Sequence, residues 1–586
     1  MRSVSIFANQ PTTHRGQPVH LSVDPKQEQL AYASNRSIFL RNIDNPAFSK
    51  QYTQHVAATT VAKFSPSGYY VASADDNGIV RIWDATREES ILKNEIKVIS
   101  GRVNDLSWDE DSKRVIAIGL FLIARLGHAF LFDSGNSVGE IQGHSAVINA
   151  VSIRRQRPFR AATVSDDRNI VFYHGVPYRY NTTISVHSNF VHDVRFSPDG
   201  ETFITVGADA KVFLHNGNTG ETITELRSAE GHRGSIFSVS WDPSSKFVAT
   251  SSADHTTKLT WSFSATPSPT HQQVGNVFAG SQMISLSYDG TINYLDRSSA
   301  KPTRNISGHQ KSITALGISQ DSNTIFSGSY DGRICLWDTA FGSARASNAH
   351  TNQVIQVEGN ETVVYSVAMD DTFRSMDYSS KSSSVSIQPL GDQPRGLAIA
   401  GGITIIITNS KIHILQSGKS VHDLATTFEP SSVAAHPLKA EFAVGATDNS
   451  IHVYTLNGTM PSEDLAFTIH RSAVTYISYS PTGTHLAAGE SSGRITVYSL
   501  PDYKVHTSKW VYHTGRITGI AWNGSGSHAA TSSLDTNIFV YSIERPSQNI
   551  SIKNAHKGGA TGVRWIDNTR IVTSGGDAIK IWEVTV

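Results

Sequence analysis

Histidines recur along this chain at nearly regular intervals. Nine of the 24 histidines each precede a segment of alternating residues, at steps of 89, 43, 45, 77, 41, 120, 43 and 43 residues; they are His55, His144, His187, His232, His309, His350, His470, His513 and His556. Imidazole rings can bind metal ions or act as general bases. No second ligand recurs beside them, so we interpret each as the structural member of a buried hydrogen-bond relay and expect no metal and no cofactor.

One serine lies in a pattern typical of hydrolases. Residues 489–493 read GESSG, which matches G-x-S-x-G with Ser491 as the nucleophile. That motif requires a strand, a sharp turn and a helix, whereas here it lies between two predicted strands. We therefore expect no enzyme, and a hydrolase that depends on Ser491 is an alternative which loss of a hydrolytic activity in Ser491→Ala would support.

A repeating unit positions the histidines. Residues 308–338, GHQKSITALGISQDSNTIFSGSYDGRICLWD, begin with Gly-His, continue through three alternating segments and end with Trp-Asp. This is the WD-repeat pattern, in which each unit forms one four-stranded blade of a β-propeller. His309, Ser327, Asp331 and Trp337 are placed to form the relay. Where the tryptophan is replaced we expect an incomplete relay; these positions are Tyr173, His215, Leu295, Tyr454, Tyr498 and Tyr541.

The spacing also gives the number of blades. A single step is about 43 residues, so the larger gaps hold further units, and with one unit before His55 the total is fourteen. Propellers commonly have seven or eight blades. We predict an all-β chain of two seven-bladed WD-repeat β-propellers in tandem, at residues 11–308 and 309–586. The last unit lacks a fourth strand, and we expect the N-terminal segment 1–10 to provide it.

Composition limits the classes of partner. Lysine and arginine number 50 and aspartate and glutamate 50, which argues against a broad nucleic-acid or membrane surface. Cys335 is the single cysteine, so the sequence allows no disulfide and fits a reducing compartment. The first residues lack the apolar segment of a secretory signal. We therefore expect a cytoplasmic, monomeric protein that binds neither nucleic acid nor membrane.

Two segments of the fourth unit are candidates for binding a protein partner. Arg154, Arg155, Arg157 and Arg160 replace its usual Ser-Pro-Gly turn, as either a solvated turn or a contact for an acidic partner. Asp167, six residues before the tryptophan position, is expected in the relay, which leaves Asp166 as an exposed acid. Tyr180 and Phe190 follow, with Arg168 nearby. Exposed aromatics beside charge are typical of binding hot spots, but the same rings could instead pack between blades.

The chain resembles the actin-interacting protein 1 family of WD-repeat cofactors of cofilin. The resemblance covers the whole chain and is carried by particular segments; these are FSPSGYYVASADDNGIVRIWD (64–84), GHAFLFDSG (127–135), RPFR (157–160), SDD (165–167) and NFVHDVRFSPDG (189–200). It implies two seven-bladed propellers, binding to filamentous actin decorated with cofilin (actin-depolymerising factor), promotion of filament disassembly and capping of barbed ends. It also implies a place in the cytoskeleton, at actin patches or cortical actin.

The resemblance further implies an actin-contacting patch on the first propeller with an acid and two aromatics. The matching positions are Asp166, Tyr180 and Phe190, and we add Arg168 and Arg157 as candidate actin- or cofilin-binding residues. One departure lies in residues 120–126, LFLIARL, where the family has a charged segment and Ala124 stands in place of an acid. Either a contact is lost, or the segment packs differently, or the stretch is a sequence anomaly. The alternative function is a general WD-repeat scaffold of another cytosolic complex, recognisable by other partners and no effect on actin.

Overall fold

The computed structural model of the protein describes residues 2–120, 127–227, 231–258, 261–262, 268–296, 301–339, 342, 344–360, 362–378, 385–400 and 402–585. Within these residues the strands form fourteen four-stranded antiparallel sheets, and the one helical element is a 3-10 turn at Pro269–His271. The all-β prediction is therefore confirmed. None of the described helical structure is long and apolar enough to cross a bilayer.

The strands are numbered in chain order. The first propeller contains β2 (Ser22–Val23), β3 (Gln29–Ser34), β4 (Ser37–Asn42), β5 (Ser49–Tyr52), β6 (Thr59–Phe64), β7 (Tyr70–Asp75), β8 (Ile79–Asp84), β9 (Leu92–Lys97), β10 (Val103–Trp108), β11 (Arg114–Gly119), β12 (Gly127–Leu131), β13 (Ser137–Glu140), β14 (Ile148–Ile153), β15 (Arg160–Ser165), β16 (Ile170–His174), β17 (Arg179–Ile184), β18 (Val191–Phe196), β19 (Thr202–Gly207), β20 (Val212–Asn216), β21 (Thr222–Glu225), β22 (Ile236–Trp241), β23 (Val248–Ser252), β24 (Thr256–Lys258), β25 (Trp261–Ser262), β26 (Gln273–Ala279), β27 (Gln282–Ser287), β28 (Ile292–Leu295) and β29 (Arg304–Ile306).

The second propeller contains β1 (Arg2–Ala8), β30 (Ile313–Ile318), β31 (Thr324–Ser329), β32 (Arg333–Asp338), β33 (Ala344–Asn348), β34 (Val354–Gly359), β35 (Val363–Ala368), β36 (Thr372–Asp377), β37 (Val385–Pro389), β38 (Pro394–Ala400), β39 (Ile403–Thr408), β40 (Lys411–Gln416), β41 (Lys419–Ala425), β42 (Pro430–Ala435), β43 (Glu441–Ala446), β44 (Ile451–Asn457), β45 (Met460–Phe467), β46 (Val474–Tyr479), β47 (His485–Glu490), β48 (Ile495–Ser499), β49 (Lys504–Trp510), β50 (Ile517–Trp522), β51 (His528–Ser533), β52 (Ile538–Ser542), β53 (Asn549–Ile552), β54 (Ala560–Trp565), β55 (Arg570–Gly575) and β56 (Ala578–Glu583).

Each propeller is a closed ring of seven sheets. The chain divides into residues 10–310 and residues 1–9 with 311–586. In the first unit the inner strands contact one another in succession and β26 contacts β2, where Val19 donates its N–H to the Val274 carbonyl at 2.9 Å. In the second unit β54 contacts β30. We number the blades 1–7 and 8–14 in chain order.

The two ends of each blade are defined by its antiparallel order. The turn between the second and third strands lies at the same end as the loop that leads to the next blade, and the other two turns lie at the opposite end. We call the first of these ends the top and the second the bottom. Relay histidines and relay acids both lie at the top, since one precedes the inner strand and the other follows the second strand.

The N-terminal strand completes blade 14. β1 pairs antiparallel with β56 and becomes the outer strand of a sheet ordered β1-β56-β55-β54. Phe7 is fully buried there and stacks on Trp337 of the adjoining blade 8, with ring centroids 5.7 Å apart. Val4 lies on the same strand with 43% of its surface exposed. The first strand of the chain therefore protects both an otherwise open sheet edge and the contact between blades 14 and 8.

The hydrophobic core is divided into clusters between neighbouring blades. One cluster joins blades 4 and 5 through Ala162, Phe172, Val194 and Phe203 among others. Tryptophans at the end of inner strands reinforce the same boundaries, because each donates its indole N–H to a carbonyl of the preceding inner strand at 2.9–3.2 Å. These tryptophans are Trp108, Trp241, Trp522 and Trp565.

A second hydrogen bond between blades recurs at the top of the inner strands. The side chain of the second residue of an inner strand donates to the carbonyl of the first residue of the next inner strand, at 2.5–2.9 Å. The donors are Asn104, Asn149, Thr314, Ser431, Thr475 and Thr518. The repeat pattern alone did not indicate that a polar residue at this position connects one blade to the next.

The predicted relay is complete in blade 2, and parts of it are present in other blades. In blade 2, His55 contacts Asp75 at 3.0 Å and Ser73 at 2.8 Å, and Trp83 donates to Ser73 at 3.0 Å. In the repeat at residues 308–338, Trp337 donates to Ser327 at 2.6 Å. Among the described residues, no group of three or more His, Cys, Asp or Glu is arranged to hold a metal ion.

The prediction that blades without tryptophan have incomplete relays is wrong for blades 4, 5 and 12. Tyr173 accepts from Thr163 at 3.2 Å, His215 bonds Thr205 at 2.9 Å, and Tyr498 bonds His470 at 2.8 Å. Burial lowers the pKa of His215 to about 3, so this ring is neutral near pH 7 and one nitrogen can act as acceptor. Tyrosine and histidine replace tryptophan because each carries a polar atom at the end of a flat ring.

Replacement of Phe7 should destabilise the second propeller selectively. Phe7→Ala removes a fully buried ring and should lower the free energy of unfolding of blades 14 and 8 by about 3–5 kcal/mol. Val4→Ala, on the same strand but exposed, should change it by less than about 0.5 kcal/mol. Hydrogen–deuterium exchange resolved to peptides of β54–β56 and of the first propeller measures both. Faster exchange in the first propeller of Phe7→Ala, with β54–β56 unchanged, would contradict this closure.

Candidate protein-binding surface

Asp166 lies at the top of blade 4, in the turn between β15 and β16. Its Oδ1 atom accepts a 2.8 Å hydrogen bond from the Asn149 amide, which also donates to the Val191 carbonyl of blade 5 at 2.8 Å. Asp166 is half-buried rather than fully exposed, which corrects the expectation of a freely solvated acid. Its Oδ2 atom has no hydrogen-bond partner among the described residues, so one oxygen is held in place and the other can accept a bond from a partner.

Asp167, the neighbouring acid, belongs to the relay as predicted. Its carboxylate contacts His144 at 2.9 Å, and His144 contacts Thr163 at 2.9 Å. Burial alone would raise the pKa of Asp167, but the hydrogen bond and charge of His144, with backbone N–H groups of Ser145 and Asn169, hold that pKa below its ordinary value. Two adjacent aspartates therefore differ in role, since one stabilises the blade and the other is presented at its top.

Phe190 lies in the loop that leads from blade 4 to blade 5, also at the top. Nearly half of its surface, 47%, is exposed. Its carbonyl accepts from the Ala208 N–H at 2.8 Å and its own N–H donates to the Asn189 side chain at 2.8 Å. The backbone that carries the ring is thus fixed, while the ring itself is available to a partner.

Tyr180 is the other exposed aromatic, with 52% of its surface accessible. It lies on the outer strand β17, and its ring extends toward the top, where its hydroxyl is 3.1 Å from that of Thr183. The ring passes so close to Gly143 that a Cβ there would lie 2.9 Å from it. Tyr178, two residues earlier, is instead buried between blades 3 and 4. The alternative that Tyr180 and Phe190 pack between blades does not hold, because about half of each side chain is exposed.

We call Asp166, Arg168, Tyr180 and Phe190 the blade 4/5 patch. Phe190 adjoins Asp166 through Asn149 and the Val191 carbonyl, whereas Tyr180 connects to the acids through Gly143 and the adjacent His144. Arg168 is exposed and has φ of 69°. That left-handed conformation costs a non-glycine residue on the order of 1 kcal/mol, and blade 2 has Gly78 at the corresponding turn position.

Arg157 lies at the other end of the blade. It belongs to the turn between β14 and β15, at the bottom, whereas Asp166 follows the six-residue strand β15 at the top. Its guanidinium contacts Asp111 of blade 3 at 2.6 Å and stacks over the Phe159 ring at 5.1 Å. Arg157 therefore lies apart from the patch, because successive turns of an antiparallel sheet alternate between its ends.

The other arginines of that turn also contact neighbouring blades. Arg154 is buried and donates to the Gly200 carbonyl at 2.8 Å, and Arg155 pairs with Glu110 at 3.7 Å. Arg160 donates to the Asn218 carbonyl at 3.4 Å. These contacts favour a structural role for the turn, and binding of a partner by Arg157 stays a prediction that is separate from the patch.

The serine motif lies in a strand–turn–strand segment. Ser491 is exposed in the turn between β47 and β48, and no helix follows within the described residues 485–499. His470 uses one ring nitrogen for Glu490 and the other for Tyr498, and Ser492 rather than Ser491 contacts Glu490. The geometry that the hydrolase motif requires is not met here. The apolar segment 120–126 with Ala124 lies, except for the exposed Leu120, outside the described residues.

Substitution of the two adjacent aspartates should change the free energy of unfolding of blade 4 by different amounts. Asp167→Ala leaves the partners of a relay acid unsatisfied and should lower the local free energy of unfolding of blade 4 by about 1–3 kcal/mol. Asp166→Ala removes one partially exposed acceptor and should cost about 1 kcal/mol or less. Hydrogen–deuterium exchange of peptides from β14–β17 measures both. Equal destabilisation by the two variants would contradict the assignment of separate roles.

Comparisons with known proteins cover both propellers. The WD domain, G-beta repeat family matches residues 47–84, 179–216, 223–260, 300–338, 464–499 and 504–542. Actin-interacting protein 1 of Drosophila melanogaster is 37% identical over 87% of this chain and 86% of its own length. WD repeat-containing protein 1 of Gallus gallus is 38% identical over 87% and 86%.

A fungal relative is similar over the same extent. A WD repeat-containing protein of Schizosaccharomyces pombe is 44% identical over 87% of this chain and 87% of its own length. The aligned residues make up 87% of this chain, so the similarity extends across both of its propellers. The chain therefore belongs to the WD-repeat family of actin-interacting protein 1 and WD repeat-containing protein 1.

Proposed function

We propose that this protein is a non-enzymatic, monomeric actin-filament-binding protein that promotes disassembly of cofilin-decorated filaments and caps their barbed ends. The observation that carries the proposal is similarity over 87% of the chain to a protein named for its interaction with actin. It acts in the cytoplasm on the cytoskeleton, at actin patches or cortical actin.

The blade 4/5 patch is the surface that we assign to the filament. Fully burying a large apolar side chain contributes roughly 1.5–3 kcal/mol, and Tyr180 and Phe190 each retain about half of their surface for that purpose. Asp166 gives an oriented acceptor through Oδ2, because Asn149 holds Oδ1. Arg168 provides a cation beside them. Exposed aromatics with a fixed polar group form the kind of surface that makes binding hot spots.

In this mechanism cofilin acts by changing the geometry of the actin subunits to which the patch binds. A protein shifts an equilibrium only toward the state that it binds more tightly. If the patch fits actin subunits in the cofilin-bound geometry better than bare subunits, binding stabilises that geometry and the severed, capped ends derived from it. A rigid surface suits this mechanism. The Asn149 side chain donates to the Asp166 carboxylate, and the Asp166 N–H donates to the Val147 carbonyl, so Asp166 is held in position before binding.

Sedimentation of actin filaments with and without cofilin tests the proposal. The wild-type protein should pellet preferentially with cofilin-decorated filaments and increase the actin in the supernatant. Phe190→Ala and Tyr180→Ala should each weaken binding about tenfold or more, as expected for hot-spot aromatics. Matched controls are Phe48→Ala and Tyr69→Ala, exposed aromatics of the same propeller whose turns lie at the bottom of blades 1 and 2.

Three outcomes would contradict the proposal. Full disassembly activity in a folded double variant, Phe190→Ala with Tyr180→Ala, would remove the patch from the mechanism. Equal losses in the two bottom-face controls would show that the effect is not specific to the patch. Absence of any actin binding by the wild-type protein, with other cytosolic partners bound instead, would favour a general WD-repeat scaffold.

A further inference from the structure

A buried histidine, His20, lies across the central channel of the first propeller, which the inner strands of blades 1–7 surround. Only 6% of its surface is exposed. Hydrogen bonds fix the chain on both sides of it. Val19 donates its N–H to the Val274 carbonyl of blade 7 at 2.9 Å, and Lys63 of blade 2 donates to the Leu21 carbonyl at 3.2 Å. The imidazole itself reaches blades 4 and 5, so this side chain connects opposite sides of the ring.

The two partners of the imidazole determine its protonation state. Nε2 lies 3.0 Å from the backbone carbonyl of Asn149, which can only accept, so Nε2 carries a proton. Nδ1 lies 2.8 Å from Nη2 of Arg195, and a guanidinium can only donate, so Nδ1 must present its lone pair. His20 is therefore neutral, and both of its ring nitrogens are used.

The charges around His20 are balanced without it. Arg195 contacts Asp105 at 3.0 Å and Asp193 at 3.1 Å, and Lys63 lies 3.6 Å from Asp105. Both carboxylates are 3.9 Å from the imidazole, beyond hydrogen-bond distance. Burial lowers the pKa of His20, and Arg195 and Lys63 lower it further, against the opposite effect of the two aspartates. A proton on His20 would thus add an uncompensated charge to a buried network.

The residue that His20 holds, Asn149, lies where its strand departs from regular pairing. The register between β14 and β15 shifts at this position, and Asn149 has no partner in the ladder. The position of such a bulged residue depends on its other bonds. Here the Asn149 carbonyl is bound by His20, and its side-chain amide donates to Asp166 and to the Val191 carbonyl. A continuous series of hydrogen bonds therefore leads from the channel to the acid of the blade 4/5 patch.

The bond between neighbouring blades does not itself require a histidine in the channel. In the second propeller Thr475 and Thr518 donate to the next inner strand at 2.8 and 2.7 Å. Among the described residues that line the channel cavity of that propeller there is no histidine. The imidazole in the first propeller is thus an addition to the common design, and it contacts the blade that carries Asp166.

We infer that His20 is a positioning residue for the blade 4/5 patch, which holds the backbone of Asn149 from the channel and thereby orients the Asp166 carboxylate. This role rests on the proposed function, since the patch is there assigned to the filament. His20 does not contact the partner. A proton on Nδ1 would place two cations against each other and displace Arg195, so acid should open this part of blade 4.

Sedimentation with cofilin-decorated actin filaments tests the positioning role. His20→Leu removes both hydrogen bonds of the ring, and we expect the affinity to fall about fivefold, the scale of one hydrogen bond. His20→Gln keeps one donor and one acceptor in its amide, and it should bind as the wild type does. His174→Leu is the matched control, because His174 is an exposed histidine at the bottom of the same blade, and it should leave the affinity unchanged.

Hydrogen–deuterium exchange without actin tests the acid sensitivity. The pKa of His20 is lowered from 6.5 by burial, so the unfolded form binds a proton below pH 6.5 that the folded form does not. The stability that depends on neutral His20 is therefore complete above pH 6.5 and is lost as the pH falls. Between pH 7.5 and pH 5.5, protection factors of β14 and of the β15–β16 turn should fall about tenfold more in the wild type than in His20→Gln. The relay histidines titrate in both proteins, so the difference isolates His20.

The inference is overturned if wild type and His20→Gln lose protection equally, or if exchange at the imidazole C2 position, read by mass spectrometry, gives His20 a pKa of 6.5 or higher. It is also overturned if His20→Leu binds filaments as the wild type does, or if His20→Gln loses as much affinity as His20→Leu. Should the wild type bind no filaments, the proposed function fails, whereas the exchange measurements still decide whether His20 holds Asn149.

Discussion

The hydrogen bond between the second residue of one inner strand and the first carbonyl of the next determines much of this structure. At six junctions it fixes how a blade meets its neighbour at the top, the end that carries the candidate binding surface. Other junctions form without it, since the same position holds Phe237, Val274 and Ile355 in β22, β26 and β34. Tryptophan N–H groups make the matching connection toward the bottom.

In blade 4 the residue that makes this bond, Asn149, has a second role. Asparagine has two donor hydrogens on one nitrogen, and Asn149 uses them for both the Val191 carbonyl and Asp166. A threonine or serine at this position, as in several blades of the second propeller, has only one hydroxyl proton. The choice of asparagine therefore couples the junction between blades 4 and 5 to the orientation of the acid that we assign to the partner.

The repeat pattern was sufficient to predict the all-β strands and the relay acid Asp167, because these depend on local alternation and on fixed spacing. The relay acids of blades 2 and 12, Asp75 and Glu490, lie two residues earlier relative to the tryptophan position. Residues 3–9 alternate as a strand should, and the last unit lacks one, which made the pairing of β1 with β56 predictable. The difference in burial between Tyr178 and Tyr180 could not be predicted from the repeat pattern. One ring enters the boundary between blades 3 and 4, the other passes over Gly143, and both outcomes depend on contacts with residues far away in the chain.

The position of Arg157 could have been predicted, because consecutive turns of an antiparallel sheet point to opposite ends. The roles of Asn149 and Gly143 could not, since each is defined by contacts that form only after the ring closes. The prediction of incomplete relays is wrong at Tyr173, His215 and Tyr498 for a related reason. What the relay needs is a polar atom at one point in space, and Tyr173 or His215 reaches it as well as tryptophan does.

We propose that the top of blades 4 and 5 contacts the filament. Hydroxyl-radical footprinting of the protein bound to cofilin-decorated actin, read residue by residue by mass spectrometry, tests this claim most directly. Oxidation of Phe190 and Tyr180 should fall on binding, while that of Phe48 and Tyr69 at the bottom of the same propeller stays as in the free protein. Unchanged oxidation of Phe190 and Tyr180, with protection of the bottom aromatics, would contradict the account.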